Sequence, residues 1–97
     1  MASRLSEEEM AALLARGDSL LSVGDVASAR LVYERLADAG GGLAAIRLGV
    51  TFDQLFLDRV HLRGVRGDPG AAFFWYRRAR DLGAADAEVL MKALEAK

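Results

Sequence analysis

Cysteine is absent from this 97-residue chain, and histidine and proline each occur once. Without a thiol the chain can form neither a disulfide framework nor a metal site built on cysteine. Aromatic residues make up only 7% of the chain although 53% of it is hydrophobic, so small residues supply much of the apolar content and favour tight helical packing. The longest apolar runs are far shorter than the roughly 20 residues that span a bilayer. We therefore expect no membrane-spanning segment and no membrane partner.

Residues typical of active sites are also scarce. His61 is the single histidine, and without a second histidine or a cysteine neither a metal cluster nor a familiar nucleophile arrangement can be built around it. The run Gly40, Gly41 and Gly42 lacks the preceding strand and the Lys-Ser/Thr ending of a phosphate-binding loop. We therefore expect no enzymatic activity, no cofactor and no metal. The first residues lack the basic-then-apolar order of a signal peptide, which makes a cytoplasmic location the default.

The charges are unevenly distributed along the chain. Residues 1–46 have a net charge of −3 and residues 47–97 a net charge of +2, and six arginines lie within residues 58–80. A solvated surface with salt bridges and a specific basic patch both account for this pattern. The sequence pI of about 5.8 and the lack of a nucleic-acid reader motif argue against a nucleic-acid partner.

Helix signals occur at most of the expected boundaries. Ser6 and Glu9 have the spacing of a capping box, Asp25 can cap a second helix, and Asp68 followed by Pro69 is a strong helix start. Apolar residues recur every three or four positions between these signals, and no strand pattern competes. The sequence predicts an all-α domain with about five helices, at residues 6–23, 25–39, 43–52, 68–82 and 84–96. A short helical turn is expected near residues 54–60.

An internal repeat relates the two halves of the chain. Residues 24–44 and 67–87 share identical residues at a constant offset of 43, which are Gly24/Gly67, Asp25/Asp68, Ala29/Ala72, Tyr33/Tyr76, Arg35/Arg78, Asp38/Asp81, Gly40/Gly83 and Ala44/Ala87. A period of this length predicts stacked helical units. Small alanines suit the crossing of two helices, and a glycine inside a helix suggests that another backbone approaches closely. The residues to which we assign this structural role are Gly17, Ala29, Tyr33, Gly49, Ala72, Tyr76 and Gly83.

The spacing of these residues resembles that of the tetratricopeptide repeat. Leu13, Gly17, Leu20, Ala29 and Tyr33 follow the large-small-aromatic pattern of that repeat in the first unit. The second unit resembles the Sel-one-like variant, through Leu48-Gly49, Phe52, the segment 64–68, Ala72, the segment 75–79 and Gly83. The resemblance covers roughly residues 10–90. It implies an α-solenoid of two antiparallel helical hairpins, at about residues 6–40 and 43–83, within one domain of residues 1–97. An insertion at residues 53–66 and a capping helix at about residues 84–96 complete it.

The resemblance also implies a binding face made by the first helix of each unit. That face would contain Leu14, Asp18, Leu21, Leu43, Ile46, Val50 and Asp53, and its apolar character suits a helix or an extended hydrophobic segment. Leu14 and Asp18 stand where some tetratricopeptide domains carry the groups that hold a terminal carboxylate, which argues against that mode. The alternative is that the last helix or a neighbouring domain covers the same residues.

A second candidate surface combines arginines with aromatic rings. Phe73 lies four residues before Arg77 and Phe74 four residues before Arg78, so each guanidinium can approach a ring. An aromatic-basic patch for an acidic peptide or a nucleic-acid strand would contain Arg59, Arg63, Arg66, Phe73, Phe74, Arg77 and Arg78. The alternative is that Phe73 or Phe74 packs against apolar residues of the insertion.

The sequence thus predicts a protein-interaction module, or the tail of a larger bacterial protein, with a protein or peptide partner. Eleven arginines against two lysines underlie the bacterial assignment. Self-assembly into a homo-oligomer and binding of an acidic ligand through the arginines remain as alternatives.

Overall fold

The computed structural model describes residues 5–62 and 64–96, and these residues form six α-helices and no strand. In chain order the helices are α1 (Glu7–Ser22), α2 (Val26–Asp38), α3 (Gly42–Phe52), α4 (Gln54–Arg59), α5 (Pro69–Asp81) and α6 (Ala87–Glu95). The predicted all-α class is confirmed. The predicted count of about five helices is wrong, because residues 54–59 form a separate short helix. None of the described helices combines the length and the apolarity needed to cross a bilayer.

The predicted helix starts are confirmed by their hydrogen bonds. In the capping box of α1, the Glu9 amide donates to Ser6 Oγ at 3.0 Å, and the Ser6 amide donates to Glu9 Oε1 at 2.8 Å. Asp25 accepts from the Ser28 amide at 3.1 Å, and Asp68 accepts from the Ala71 amide at 3.0 Å with Pro69 at the first helical position. These side chains satisfy amides that a helix start leaves without a partner.

Asp53 separates α3 from α4 and explains the additional helix. It is the extended residue between the two helices, and its Oδ1 accepts from the Leu55 amide at 3.0 Å, so one helix ends and the next begins there. Leu57 then anchors α4 in the core with 1% of its surface exposed. The last helix was also predicted too long. Residues 84–87 form a turn in which the Ala87 amide donates to Ala84 O at 3.3 Å, and α6 begins at Ala87.

The principal helix contacts follow the order of the chain. α1 packs on α2, α2 on α3, α3 on α5 and α5 on α6, while α4 lies against α3. The principal extents are 40 × 29 × 19 Å. Ala29, Tyr33, Ala72 and Tyr76 are completely buried, and Trp75 packs against both the cluster around Tyr33 and the cluster that includes Ala79. The alanines and tyrosines of the repeat therefore lie at the centre of the molecule.

Each repeated tyrosine packs its ring against a helical glycine. A Cβ atom placed on Gly17 would lie 2.5 Å from Tyr33 Cε1, and one on Gly49 would lie 2.6 Å from Tyr76 Cδ1. The glycines are 32 positions apart and the tyrosines 43 positions apart, so the second unit holds eleven additional residues between them. The insertion that contains α4 accounts for that difference.

Candidate partner-binding groove

Three neighbouring depressions follow α3, and we refer to them together as the α3 groove. The first lies between α1 and the start of α3, has a volume of about 120 Å³, and is lined by Leu14 and Leu43 among others. The second, of about 340 Å³, is lined by α1, the middle of α3 and Phe56 of α4. The third, of about 190 Å³, lies among α3, α4 and α6. The second and third share Val50 and Phe56, so the two depressions adjoin.

The local sequence explains why these side chains share one surface. Leu14, Asp18 and Leu21 recur at four- and three-residue intervals on α1, and so project from one side of that helix. On α3 the corresponding residues are Leu43, Ile46 and Val50, followed by Asp53 at its C-terminal cap. The pairing of α2 with both helices brings the two stripes to neighbouring positions.

All seven residues of the predicted binding face line the α3 groove. Leu14 and Leu43 lie in the first depression, Asp18, Leu21 and Ile46 in the second, Val50 in the second and third, and Asp53 in the third. Their exposure differs widely. Leu43 is 50% exposed, whereas Ile46 retains 9% of its surface and Asp53 only 4%. Leu43 is therefore the most accessible apolar contact, and Ile46 belongs mainly to the core.

Sequence reasoning expected Phe56 to pack with the other apolar residues of the insertion and did not place it in the groove, where it lies between the second and third depressions. Phe56 is half-buried and belongs to α4. The insertion thus contributes a ring to the wall of the groove. The apolar run at residues 55–57 indicates that the insertion covers another surface of the protein. The sequence alone does not say which surface that is.

A polar group interrupts the apolar wall at Asp18. The Tyr33 hydroxyl donates to Asp18 Oδ1 at 2.6 Å, and Arg47 Nη1 lies 3.6 Å from Asp18 Oδ2. Burial, followed by the hydrogen bond to Asp18, raises the pKa of the Tyr33 hydroxyl. The Asp18 and Arg47 side chains keep 43% and 34% of their surface exposed. This ion pair is accessible from the second depression.

Asp53 forms a second tyrosine-aspartate pair that is closed to solvent. The Tyr76 hydroxyl donates to Asp53 Oδ2 at 2.8 Å while the Leu55 amide occupies Oδ1. Burial, followed by this hydrogen bond, raises the pKa of the Tyr76 hydroxyl. Since both carboxylate oxygens are engaged within the chain, we assign Asp53 to holding α4 on the core.

Arg30 joins α2 to the end of α3, and sequence reasoning missed this role. Its Nε donates to Thr51 Oγ1 at 3.0 Å and its Nη2 donates to the Thr51 carbonyl at 2.7 Å. Its guanidinium also lies 3.8 Å from the centre of the Phe52 ring. A cation at a helix C-terminus satisfies the free carbonyl groups there and opposes the helix dipole. Arg30 thereby fixes the end of α3 from which α4 departs.

The residues of the predicted aromatic-basic patch lie at several places. Phe74, Arg77 and Arg78 line one open depression on α5, whereas Arg59 lines the third depression of the α3 groove. Phe73 packs against the core cluster of Ala72, Tyr76 and Met91. Arg66 is exposed, and Arg63 lies outside the described residues. The structure therefore brings together Phe74, Arg77 and Arg78 from this set.

His61 is exposed in the turn after α4 and has a left-handed backbone conformation with φ of 55°. Within residues 5–62 and 64–96, no group of three or more His, Cys, Asp or Glu side chains could hold a metal ion. That the chain has neither an enzymatic activity nor a cofactor stays a prediction.

No protein-family model, curated protein sequence or solved structure matches this chain. The likeness to tetratricopeptide and Sel-one-like repeats therefore depends on the sequence motifs and stays a prediction.

Proposed function

We propose that this chain is a protein-interaction module of the tetratricopeptide or Sel-one-like type that binds a helical or extended peptide segment in the α3 groove. On this proposal the helices form a short α-solenoid with α6 as its cap. The succession of helix contacts along the chain and the repeated tyrosine-glycine packing support it. A cytoplasmic location and a place within a larger bacterial protein stay predictions.

The observation that carries the proposal is the convergence of α1 and α3 on one apolar surface that solvent reaches. Leu14, Leu43 and Val50 line it, and Leu43 keeps half of its surface exposed. Apolar area that is removed from water contributes roughly 25 cal/mol per Å². A partner that covers this surface with apolar side chains one helical turn apart would match the spacing of the groove.

The Asp18–Arg47 pair would give this groove its specificity. Its two partly exposed charges lie among Leu21, Ile46, Val50 and Phe56 in the second depression. A few polar groups in an apolar site orient a ligand, because a wrongly placed ligand leaves them without hydrogen bonds. We expect a bound segment to place a polar side chain or a backbone amide at this point.

The proposal can be tested by selecting peptides against the immobilised chain from a display library and measuring their affinity by fluorescence anisotropy. We expect Leu14→Asp and Leu43→Asp each to weaken selected peptides by at least about tenfold, since each places a charge in the apolar contact. Leu43 is preferable to Ile46 for this purpose, because an aspartate at the nearly buried Ile46 would threaten the fold.

Val89→Asp is the matched control. Val89 lies on α6, is 68% exposed, and lines none of the depressions of the groove. Circular dichroism of each variant establishes that it is folded. Peptides that bind Leu14→Asp and Leu43→Asp as tightly as the unmodified chain would assign recognition to another surface, and the absence of any selected peptide would count against the module.

A further inference from the structure

The outer faces of α2 and α5 carry exposed apolar residues at the same position of the repeat. Leu31 on α2 and Phe74 on α5 are 43 positions apart, which is the offset of the repeat. Leu31 is 70% exposed and Phe74 is 49% exposed. Both residues lie on the side of their helix opposite the buried tyrosine two positions later. A single exposed leucine needs no explanation, but an exposed apolar residue at both equivalent positions does.

The charges next to these residues are complementary between the two helices. Glu34 on α2 corresponds to Arg77 on α5 at the same offset. The outer face of α2 thus carries two acids and one arginine, and that of α5 carries two arginines and one acid, namely Glu34, Arg35 and Asp38 against Arg77, Arg78 and Asp81. The whole first half of the chain is acidic and the second half basic, with net charges of −3 and +2. The two faces are therefore complementary to each other and not to themselves.

α5 also offers a place for an apolar side chain. Phe74, Arg77, Arg78, Asp81 and Leu82 line an open depression of about 250 Å³. The Phe74 ring is held edge-on to Trp75, with 5.0 Å between the ring centres. Arg80 forms the ion pairs of α5 within the described part of the chain, with Asp81 at 3.3 Å and Glu88 at 3.9 Å. Arg77 and Arg78 make no ion pair with another described residue.

We propose that copies of this chain associate by placing the outer face of α2 of one copy on the outer face of α5 of another. Leu31 enters the depression beside Phe74 and Leu82, and Glu34 faces Arg77 and Arg78 of the other copy. The contact is small, so the association is weak and depends on concentration. It uses surfaces separate from the α3 groove and does not rest on the peptide-binding proposal.

Sedimentation velocity of the full chain over a range of micromolar concentrations tests the association. We expect the average mass to rise with concentration and to fall with added salt, because charged groups contribute to the contact. Leu31→Ser removes the apolar contact without adding an acid opposite Arg77 and Arg78, and it should raise the dissociation constant by at least about tenfold. Trp75 fluorescence, which reports on the Phe74 ring beside it, should change over the same concentration range.

An exchange of charges identifies the two faces. Glu34→Arg makes the α2 face basic, and Arg77→Glu with Arg78→Glu makes the α5 face acidic, so neither variant should associate with itself. A mixture of the two variants should associate again, because the basic α2 face of one matches the acidic α5 face of the other. Glu95→Arg on α6 is the matched control for a change of charge alone and should associate like the unmodified chain.

Three outcomes would overturn this proposal. The first is a strict monomer at high micromolar concentration. The second is association that survives Leu31→Ser and both charge variants. The third is a monomer that binds an acidic peptide or a single-stranded oligonucleotide through Arg77 and Arg78, which would assign the α5 depression to another class of partner. Because all of these residues are exposed, circular dichroism should show that every variant keeps its helical content.

Discussion

The two tyrosine-aspartate pairs use the same chemistry in opposite surroundings. Tyr33 donates to Asp18 beside the α3 groove, and the aspartate is shared with Arg47 and partly exposed. Tyr76 donates to Asp53 in the interior, where the aspartate also caps α4 and retains 4% of its surface. In each case the tyrosine ring packs against a helical glycine. The tyrosine hydroxyl has an aspartate partner in both units, but only in the first unit is that aspartate, Asp18, within reach of solvent.

The difference arises from where the aspartate stands relative to the glycine. Asp18 follows Gly17 directly, within α1, whereas Asp53 lies four residues after Gly49, where α3 ends. A carboxylate inside a helix can remain at the groove surface. A carboxylate at a helix end can instead bind the amides of the next helix. The first pair is thus available for recognition, and the second connects the insertion to the core.

The largest effect should come from removing the buried carboxylate. Asp53→Ala deletes the cap of α4 and leaves the Tyr76 hydroxyl without a partner in the interior, and we expect it to lower the free energy of unfolding by about 3 kcal/mol. Asp18→Ala should cost only about 1 kcal/mol, because water can replace the carboxylate. Urea denaturation of both variants measures the difference. Equal losses would contradict the division into an open pair, Tyr33–Asp18, and a closed pair, Tyr76–Asp53.

Replacing the helical glycine by alanine should also cost more stability in the second unit than in the first, but the difference should be smaller than for the aspartates. A Cβ on Gly49 would meet the Tyr76 ring and also lie 3.2 Å from the backbone oxygen of Ala72, whereas the close contacts of a Cβ on Gly17 are with the Tyr33 ring. Overpacking commonly costs 1–3 kcal/mol, and alanine recovers about 1 kcal/mol of helix propensity, so we expect a loss of about 2 kcal/mol for Gly49→Ala and about 1 kcal/mol for Gly17→Ala. Thermal unfolding followed by circular dichroism provides the comparison. A larger loss at Gly17 would show that the first unit is the more tightly packed.

The sequence predicts the parts of this architecture that depend on local chemistry. The capping box of Ser6 and Glu9 and the caps at Asp25 and Asp68 follow from short-range rules, and the structure contains all three. The same rules cannot reveal that Asp53 binds the Tyr76 hydroxyl or that Arg30 binds the end of α3, because those contacts join residues 23 and 21 positions apart. Phe56 shows the same limit. Its apolar character was visible, but its position in the groove depends on how the insertion folds back.

The effect expected next in size, after that of the glycine variants, is a loss of stability at alkaline pH. Burial and the aspartates raise the pKa of both tyrosine hydroxyls in the folded chain. Stability from this source is complete below the unfolded value near pH 10 and is lost as pH rises above it, because the unfolded chain releases its protons first. At pH 11 each tyrosine should account for about 1.4 kcal/mol of lost stability.

Tyr76→Phe and Tyr33→Phe should therefore each remove half of the combined loss of stability from the two tyrosines. Denaturant titrations between pH 9 and pH 11, about one unit to either side of the unfolded pKa, measure this difference. The variants also sharpen the comparison between the pairs. A Tyr33→Phe variant that keeps the alkaline slope of the unmodified chain would mean that the Tyr33 hydroxyl is neither buried nor bonded to Asp18 in solution.

The smallest effect is expected at the exposed edge of the open pair. Arg47 lies 3.6 Å from Asp18, both side chains are more than a third exposed, and Arg47 Nη1 is buried without a hydrogen-bond partner among the described residues. Arg47→Gln should therefore change the free energy of unfolding by less than about 0.5 kcal/mol, since Nη1 makes no hydrogen bond that would be lost and the rest of the pair is partly solvated. Arg30→Gln is the matched comparison and should cost about 1–2 kcal/mol, because Arg30 makes two hydrogen bonds to Thr51 and covers the Phe52 ring. Urea denaturation at low and high salt measures both variants. If Arg47→Gln costs as much as Arg30→Gln, the open pair holds the fold together as the closed pair does, and Asp18 and Arg47 are not free to serve recognition.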